Sequence, residues 1–341
     1  MVGAGPAAKN ALLFTTEHIV QVSSVNTDAY AKVIANSKRV RWDIEDDVVR
    51  GRRFDLSKAF LPDGLSLAGE LAFLQGADRR LFSQIQGRSY AYIFGLVERF
   101  ISAKVLEISH AHSLGDQVAL EALVRMTDEE IKHQVLFRRL EAMMAADMPA
   151  GYRPAAEPNA VASAVLGKST WAVLALTLHI ELFTLAHYRA SIAAAADICE
   201  LWRDVFLFHW KEESQHAVLD ELEFLSANAR LTPAQRDIAI DELIELVGAV
   251  DQILQAQAAA DAAYFLASAR GHFTNPQEQT IAATFLKAYR WQYIVSGVMQ
   301  PRLQKVLFGT MNATQVARVN DALAPLLSAA PAEPSRIVEP A

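Results

Sequence analysis

The sequence has few of the residues that stabilise small secreted proteins or interrupt regular secondary structure. Its 341 residues include one cysteine, Cys199, so no disulfide can form within the chain. Glycine occurs 15 times and proline 12 times, which leaves long stretches free to form helices. A single cysteine suits a reducing compartment, and we expect a cytoplasmic protein in which Cys199 has a packing role.

An excess of positive charge and a long apolar run are also absent. The chain has 32 basic and 39 acidic residues, a net charge of −7, which disfavours nucleic-acid binding and polybasic membrane attachment. The N-terminus lacks the features of a secretory signal. Residues 171–186 are the most apolar segment, but they are shorter than the roughly 20 residues of a membrane span and include His179 and Glu181. We therefore expect a buried helix there and a small-molecule partner.

Hydrophobic periodicity predicts an all-α protein without strands. Hydrophobic residues make up 52% of the chain, and helix-forming Ala and Leu are prominent. The predicted helices span residues 17–38, 66–75, 77–113, 117–147, 171–196, 198–228, 233–271, 276–308 and 313–327. The predicted organisation is an N-terminal helix and wrapping segment (1–65), a helical bundle (66–228), additional C-terminal helices of the same domain (229–328) and a disordered tail (329–341).

Three Glu-x-x-His pairs occur in the sequence. Residues at i and i+3 share one face of a helix, where their side chains lie about 5 to 6 Å apart. A chain with nine histidines and this many acids contains such a pair by chance, so one pair alone indicates little. The pairs are Glu107 with His110, Glu130 with His133, and Glu213 with His216.

Two of these pairs follow another glutamate at the same distance. Glu130 lies 32 residues after Glu98, and Glu213 lies 32 residues after Glu181. Antiparallel helices joined by a short loop bring residues equidistant from that loop into register, so each upstream glutamate meets its pair. Glu107 lies nine residues beyond Glu98, about 180° around the helix, and we expect it to face away.

The surroundings of the two upstream glutamates indicate burial. Glu98 lies in AYIFGLVERFISAKVL and Glu181 in VLALTLHIELFTLA. A buried carboxylate must be protonated, paired with a cation or bound to a metal. Four carboxylates and two imidazoles supply the ligands that two divalent transition metals prefer, whereas the competing interpretation is a set of surface charges on amphipathic helices.

The repeated pattern resembles the ferritin-like di-iron carboxylate proteins. Their four-helix bundle takes one glutamate from each of two helices and a Glu-x-x-His from each of the other two. The resemblance covers residues 77–228 and implies two iron ions, with manganese as an alternative at one or both positions, and dioxygen as co-substrate. The implied ligands are Glu98, Glu130, His133, Glu181, Glu213 and His216.

Each motif has a second acid directly before the ligand glutamate, Glu129 in DEEIKH and Glu212 in KEESQH. In the family this position is thought to accept a hydrogen bond from a metal-bound histidine, which would fix its tautomer and orientation. Glu129 and Glu212 also share a face with the histidines four residues later, so they are alternatives to Glu130 and Glu213 as ligands.

His209 makes the resemblance to the superfamily more specific. It precedes Glu213 by four residues and His216 by seven, so all three project from one helix face. The arrangement His-x-x-x-Glu-x-x-His is similar to that of the para-aminobenzoate N-oxygenase group, where it adds a third histidine ligand. The alternative is a histidine that packs in the core. Met126 stands at the equivalent position of the first half, so the site would be asymmetric.

The resemblance implies a di-iron oxygenase that oxidises a small organic substrate. We expect an amine, converted towards hydroxylamine, nitroso or nitro products, an electron donor, and a homodimer. The alternatives of the same fold are a hydroxylase, a desaturase or a radical-generating oxidase. Tyr188, seven residues after Glu181 on the same helix face, is a candidate to line the substrate pocket or carry a radical. Iron storage or ferroxidation and a metal-free helical interaction protein are alternatives of a different class.

Overall fold

The structure, a computed structural model, describes residues 27–331. This part of the chain is helical and contains no strand, which confirms the predicted all-α class. The α-helices are α1 (Thr27–Arg39), α2 (Asp63–Ser66), α3 (Gly76–Ser109), α4 (Gln117–Asp147), α5 (Pro158–Leu166), α6 (Thr170–His187), α7 (Glu200–Ala229), α8 (Pro233–Ser268), α9 (Asn275–Arg290), α10 (Ser296–Val298), α11 (Pro301–Leu303) and α12 (Ala313–Leu323). Shorter 3₁₀ turns span Ala68–Glu70, His110–His112 and Leu327–Ala329, and π turns span Ile44–Val49, Tyr188–Ile192, Trp291–Val295 and Gln304–Phe308.

Two helical hairpins form the centre of the fold. Helix α3 packs along α4, and α6 packs along α7. Asp116 caps α4 by accepting hydrogen bonds from the amides of Val118 and Ala119 at 3.0 and 3.1 Å, as its position before the helix predicts. Contacts between α4 and α7 and between α3 and α6 bring the hairpins together, so the inner faces of all four helices meet.

Helix α6 is the apolar segment of the sequence analysis. Residues Thr170–Ile192 are long and apolar enough to cross a membrane, and 94% of the most apolar window is buried inside the protein. Helices α3, α5 and α8 also contact α6. The expectation of a buried helix is confirmed.

The elements outside the hairpins cover them. Helix α1 packs on α4 and α7, and α8 packs on α3 and α6. Thr232 caps α8 in a capping box: its side chain accepts from the Gln235 amide, and the Gln235 side chain accepts from the Thr232 amide. Pro233 occupies the first turn of the helix, a position that favours proline. Residues 17–26 of the predicted first helix lie outside the described residues.

Several predicted helix bounds are wrong, and backbone geometry gives the reasons. The helix predicted over 66–75 is absent because Leu67 adopts a left-handed φ of 54° between two short turns. The helix predicted over 276–308 is interrupted because Gln300 is extended before Pro301, which has no amide hydrogen. Helix α5 was not predicted. Glu157 caps it and Pro158 occupies its first turn, within a segment whose proline content suggested a loop.

The last turn of the described chain lies at the start of the predicted tail. Ala329 ends this 3₁₀ turn and is buried. Residues 332–341, the remainder of the predicted disordered tail, lie outside the described residues.

Gly87 and Gly248 offer a test of helix packing. A Cβ at Gly87 in α3 would lie 2.6 Å from Cβ of Phe60, whereas a Cβ at Gly248 in α8 would meet nothing within 4 Å. Gly87→Ala is expected to destabilise the fold by about 1–3 kcal/mol through overpacking. Gly248→Ala is expected to stabilise it by about 0.5–1 kcal/mol through helix propensity. Urea unfolding measures both, and stabilisation by both substitutions would contradict the close packing at Phe60.

Candidate metal centre

Six of the seven predicted metal ligands converge in the interior of the fold. They come from α3, α4 and α7, and all are buried. They form two groups in which one nitrogen or oxygen of each residue lies within 4.8 Å of the others. The Glu98 group contains Glu98, His133, His209 and Glu213, and the Glu130 group contains Glu130, His133, Glu213 and His216. Each group could hold a metal ion.

Two histidines face the carboxylates of the Glu98 group. His209 Nε2 lies 3.1 Å from Glu98 Oε1 and 2.7 Å from Glu213 Oε1. His133 Nδ1 lies 3.1 Å from Glu213 Oε1 and 3.6 Å from Glu98 Oε2. His209 is thus hydrogen-bonded to the carboxylates and also packs against the rings of Phe94 and Phe137, so both the ligand and the packing interpretation fit its position.

His216 is the close histidine of the Glu130 group. Its Nδ1 lies 2.9 Å from Glu130 Oε1 and 3.0 Å from Glu213 Oε2. His133 Nδ1 is more distant, at 4.0 Å from Glu130 Oε2. One oxygen of Glu213 therefore faces each group. The Glu213 carboxylate has two oxygens and can bind two ions, whereas His133 Nδ1 has a single lone pair and can bind only one ion.

Glu181, the seventh predicted ligand, lies beside Glu213. It is buried in α6, and its carboxyl is hydrogen-bonded to that of Glu213. Burial raises the pKa of Glu181 well above its ordinary value, and the negative charges of Glu213 and Asp220 add to the effect. The raised pKa favours the protonated form of the Glu181 carboxyl beside Glu213.

The histidines carry the compensating positive charge. Burial alone would lower the pKa of His133, but the carboxylates of Glu213 and Glu98 outweigh it and raise the pKa well above its ordinary value. The pKa of His216 is raised in the same way, because Glu213 and Glu129 outweigh its burial. Burial would raise the pKa of Glu213, but the charges of His209 and His216 hold it well below its usual range.

Glu129 and Glu212 each contact a histidine of the opposite helix. His133 Nε2 of α4 lies 2.8 Å from Glu212 Oε2 of α7, and His216 Nε2 of α7 lies 2.9 Å from Glu129 Oε2 of α4. Both imidazoles thus bind a carboxylate through Nε2 and direct Nδ1 into the centre. The two motifs orient each other's histidines, and Glu129 and Glu212 lie in neither ligand group.

Further contacts hold these acids, and sequence reasoning missed them. Ser37 Oγ donates to Glu129 Oε1 at 2.7 Å, and Gln215 Nε2 donates to Glu129 Oε2 at 2.8 Å. Lys132 Nζ donates to Glu212 Oε1 at 2.5 Å, and the Trp42 ring stacks on that of His133 with centroids 6.0 Å apart. Ser37 and Trp42 have no motif that could have identified them, because they reach the centre only by tertiary packing.

Several buried ligand atoms have no hydrogen-bond partner. In proteins, most buried polar atoms are hydrogen-bonded, so a cluster of unpaired ones requires an explanation. Oxygen and imidazole nitrogen are also the ligand types that divalent transition metals accept. The donor set therefore fits a metal centre. Glu98 Oε2, Glu130 Oε1 and Oε2 and His133 Nδ1 make no hydrogen bond of acceptable geometry, although Glu130 Oε1 and His133 Nδ1 lie 2.9 and 3.1 Å from His216 Nδ1 and Glu213 Oε1.

Other candidate residues lie apart from the centre. Tyr188, a candidate for the substrate pocket, instead stacks on Trp210 with centroids 5.0 Å apart, and it begins the π turn that follows the end of α6 at His187, nine residues before the predicted end at 196. Glu107 is exposed and pairs with Lys104, as its position around the helix predicts. His187 is buried and bonds through Nδ1 to the Tyr90 hydroxyl, and the half-buried His179 bonds through Nε2 to the Tyr293 carbonyl.

Metal affinity is expected to fall as the pH is lowered. His133 and His216 hold protons well above their ordinary pKa near 6.5, so a metal must displace these protons to reach Nδ1. Below those raised pKa values, affinity should rise with pH by about tenfold per unit for each displaced proton. Calorimetric titration with Mn²⁺ at pH 6, 7 and 8, in buffers of different ionisation enthalpy, measures affinity and proton release. A constant affinity across this range would contradict the assignment.

Glu212→Gln is expected to weaken metal binding by about 10- to 100-fold, because Glu212 orients His133 through Nε2. Glu221→Gln is the matched control. Glu221 lies on the same helix, but its carboxylate binds Arg302 outside both ligand groups. Equilibrium dialysis against Mn²⁺ compares the two variants. Equal affinities would show that Glu212 does not support the centre.

The chain was compared with models of protein families, with curated proteins and with solved structures, and none of the three comparisons gave a match. No residue of the centre can therefore be given a role by alignment. The chemistry that the protein performs has to be inferred from the geometry of the buried ligands.

Proposed function

We propose that the protein is a ferritin-like di-iron carboxylate oxygenase. Helices α3, α4, α6 and α7 correspond to the four-helix bundle of that superfamily. One observation carries the proposal: two buried ligand groups meet at Glu213, and each receives one of its oxygens. A single structural metal would not require a second group, and a surface cluster of charges would not be buried.

The residues fit two iron ions held side by side. Glu98 and His209 belong to one group only, Glu130 and His216 belong to the other, and Glu213 joins them. Glu181 lies within reach of Glu213 as a further carboxylate. When bound and reduced, such an iron pair activates dioxygen for the oxidation of an organic substrate. Manganese is an alternative metal for the same ligands.

The side chains around the centre orient the histidine ligands and exclude water. Glu129 and Glu212 fix the direction of the two Nδ1 ligand atoms. On the other side of His209, the rings of Phe94 and Phe137 lie with centroids 5.4 and 5.1 Å from the imidazole. A water-poor environment strengthens electrostatic interactions at the metals and protects reactive species from side reactions.

Oxidation of the substrate also requires protons and electrons. Insertion of one oxygen atom of dioxygen into a substrate reduces the other atom to water, which consumes two protons and two electrons. An external electron donor must supply those electrons.

His209 favours an amine as the substrate. Its Nε2 lies 3.1 Å from Glu98 and 2.7 Å from Glu213, which supports the third histidine ligand that the N-oxygenase resemblance implies. The finer proposal is therefore oxidation of an aromatic amine to its hydroxylamine, with further oxidation to nitroso or nitro products. Hydroxylation of carbon by the same ligands is the runner-up, and product analysis separates the two.

Iron loading and substrate oxidation test this function. Protein from iron-supplemented cells is expected to contain about two iron ions per chain by elemental analysis, and Glu213→Ala is expected to lose both because it joins the groups. Glu107→Ala is the control, because Glu107 is exposed and pairs with Lys104. The reduced protein should consume dioxygen and convert an aromatic amine to an oxygenated product. The metal centre would be refuted if the unmodified protein held less than one iron per chain and Glu213→Ala held the same amount.

A further inference from the structure

A cleft with a volume of about 530 Å³ lies at the beginning of α3, and we call it the α3 cleft. Residues 57–63, the first two turns of α3, and Asp197 and Ile198 just before α7 form most of its lining. Pockets that bind small molecules commonly have volumes of about 300 to 1,000 Å³. The α3 cleft therefore has the size of a ligand site, and no residue of the two ligand groups lines it.

Basic side chains outnumber acidic ones in the α3 cleft. Lys58, Arg79 and Arg80 line it, against Asp63 and Asp197. Arg79 donates through Nη2 to Asp63 Oδ2, so these two charges compensate each other. Asp197 is exposed and keeps its hydration. The cleft thus has an excess of positive charge, although the whole chain has a net charge of −7.

Arg80 is a cation without a partner. Within the described part of the chain, its guanidinium makes no ion pair and no hydrogen bond. The Nε atom is buried, whereas the residue is only half-buried, so the terminal nitrogens remain accessible. Arg88 on the same helix differs, because it binds the Glu141 carboxylate through Nε and Nη2. An arginine is always charged and has five N–H donors, so the charge and donors of Arg80 are available to a ligand.

Lys58 is the second cation of the cleft that has no ion pair with the described residues. It is exposed, and its ammonium group is free to move towards a ligand. The Asp55 carboxylate lies nearby, but it accepts a hydrogen bond from the Ser57 amide and does not pair with Lys58. Two unpaired cations therefore line one cleft.

The backbone on either side of Lys58 is fixed. Gln84 of α3 donates through Nε2 to the carbonyls of Leu56 and Lys58 at 2.9 and 2.7 Å. The amide of Cys199, just before α7, donates to the Ala59 carbonyl at 2.7 Å. These bonds hold one wall of the cleft against both α3 and the beginning of α7. A ligand would therefore enter a largely preformed site, which lowers the entropic cost of binding.

The two unpaired cations match a phosphate ester better than a carboxylate. At pH 7 a phosphate monoester has a charge of about −1.5 to −2 and three acceptor oxygens, whereas a carboxylate has one charge. Arginine and lysine both bind phosphate groups, arginine often through two parallel hydrogen bonds. Leu61, Pro62 and Ile198 also line the cleft and offer apolar contact to an organic group.

We propose that the α3 cleft binds a small phosphate monoester, with the phosphate group between Lys58 and Arg80 and the organic group against Leu61, Pro62 and Ile198. Arg80 precedes Glu98 by 18 residues, which is about 27 Å along α3. The cleft is therefore a separate site from the metal centre. It goes beyond the proposed function, and neither proposal depends on the other.

Isothermal titration calorimetry of the full chain at low salt tests the site. The probes are phenyl phosphate, inorganic phosphate, sulfate and benzyl alcohol at pH 7.5. Phenyl phosphate is expected to bind about tenfold more tightly than inorganic phosphate, because its ring gains apolar contact. Benzyl alcohol should not bind, and added NaCl should weaken the binding of phenyl phosphate. No binding of phenyl phosphate, or equal affinity for sulfate and phenyl phosphate, overturns the proposal.

Substitutions locate the site. Arg80→Gln and Lys58→Gln should each weaken phenyl phosphate binding by about 10- to 100-fold. Arg138→Gln is the matched control, because Arg138 is exposed on α4 and does not line the cleft. Since Arg80 has no partner, Arg80→Gln should keep the melting temperature of the ligand-free protein. Phenyl phosphate should raise the melting temperature of the unmodified protein and of Arg138→Gln but not of Arg80→Gln. Equal weakening by Arg138→Gln and Arg80→Gln overturns the location.

Lipid headgroups carry the same phosphate chemistry, and a sedimentation experiment separates the two sources. The full chain is mixed with vesicles that contain phosphatidic acid and is then centrifuged. We expect the protein to stay in solution, because a cleft of this size encloses a small molecule. Sedimentation with the vesicles that Arg80→Gln abolishes would overturn the soluble ester in favour of a lipid.

Discussion

The burial of acidic side chains among apolar helices is the constraint on which the rest of the structure depends. Glu98, Glu130, Glu181 and Glu213 are each at most 2% exposed, so water compensates none of their charges. The imidazoles compensate these charges, and Glu129 and Glu212 hold two of the imidazoles in place. Such a cluster costs more than hydrophobic residues of similar volume, so stability alone does not account for its presence.

The same constraint explains which helices carry the buried charged residues and which do not. Helices α3, α4 and α7 supply the two ligand groups, and α6 supplies Glu181 within an otherwise apolar surface. Helix α8 and the segment after α9 add no ligand to these groups, but they line apolar cavities against α6. The elements that supply the buried charged groups thus differ from those that enclose the apolar space.

Local patterns predicted the side chains that converge in the centre, but they did not predict Ser37 and Trp42, which contact those side chains. The 3.6-residue period and the equal spacing of Glu98 with Glu130 and of Glu181 with Glu213 depend only on helix geometry, which a sequence specifies. Helix α4 has the predicted bounds because Asp116 caps it. Helix α6 gives way to a π turn at Tyr188, and Trp42 contacts His133. Both features depend on residues far away in sequence, so hydrophobic periodicity does not predict them.

Helix α1 and the segment after it have a consequence for the order of folding. Ser37 reaches Glu129 across 92 residues of sequence, and Trp42 covers His133. Contacts of such separation form slowly, because the intervening chain must be ordered first. The histidines therefore gain their final orientation only when the beginning of the described chain has docked. Metal acquisition would then mark the completion of folding rather than its start.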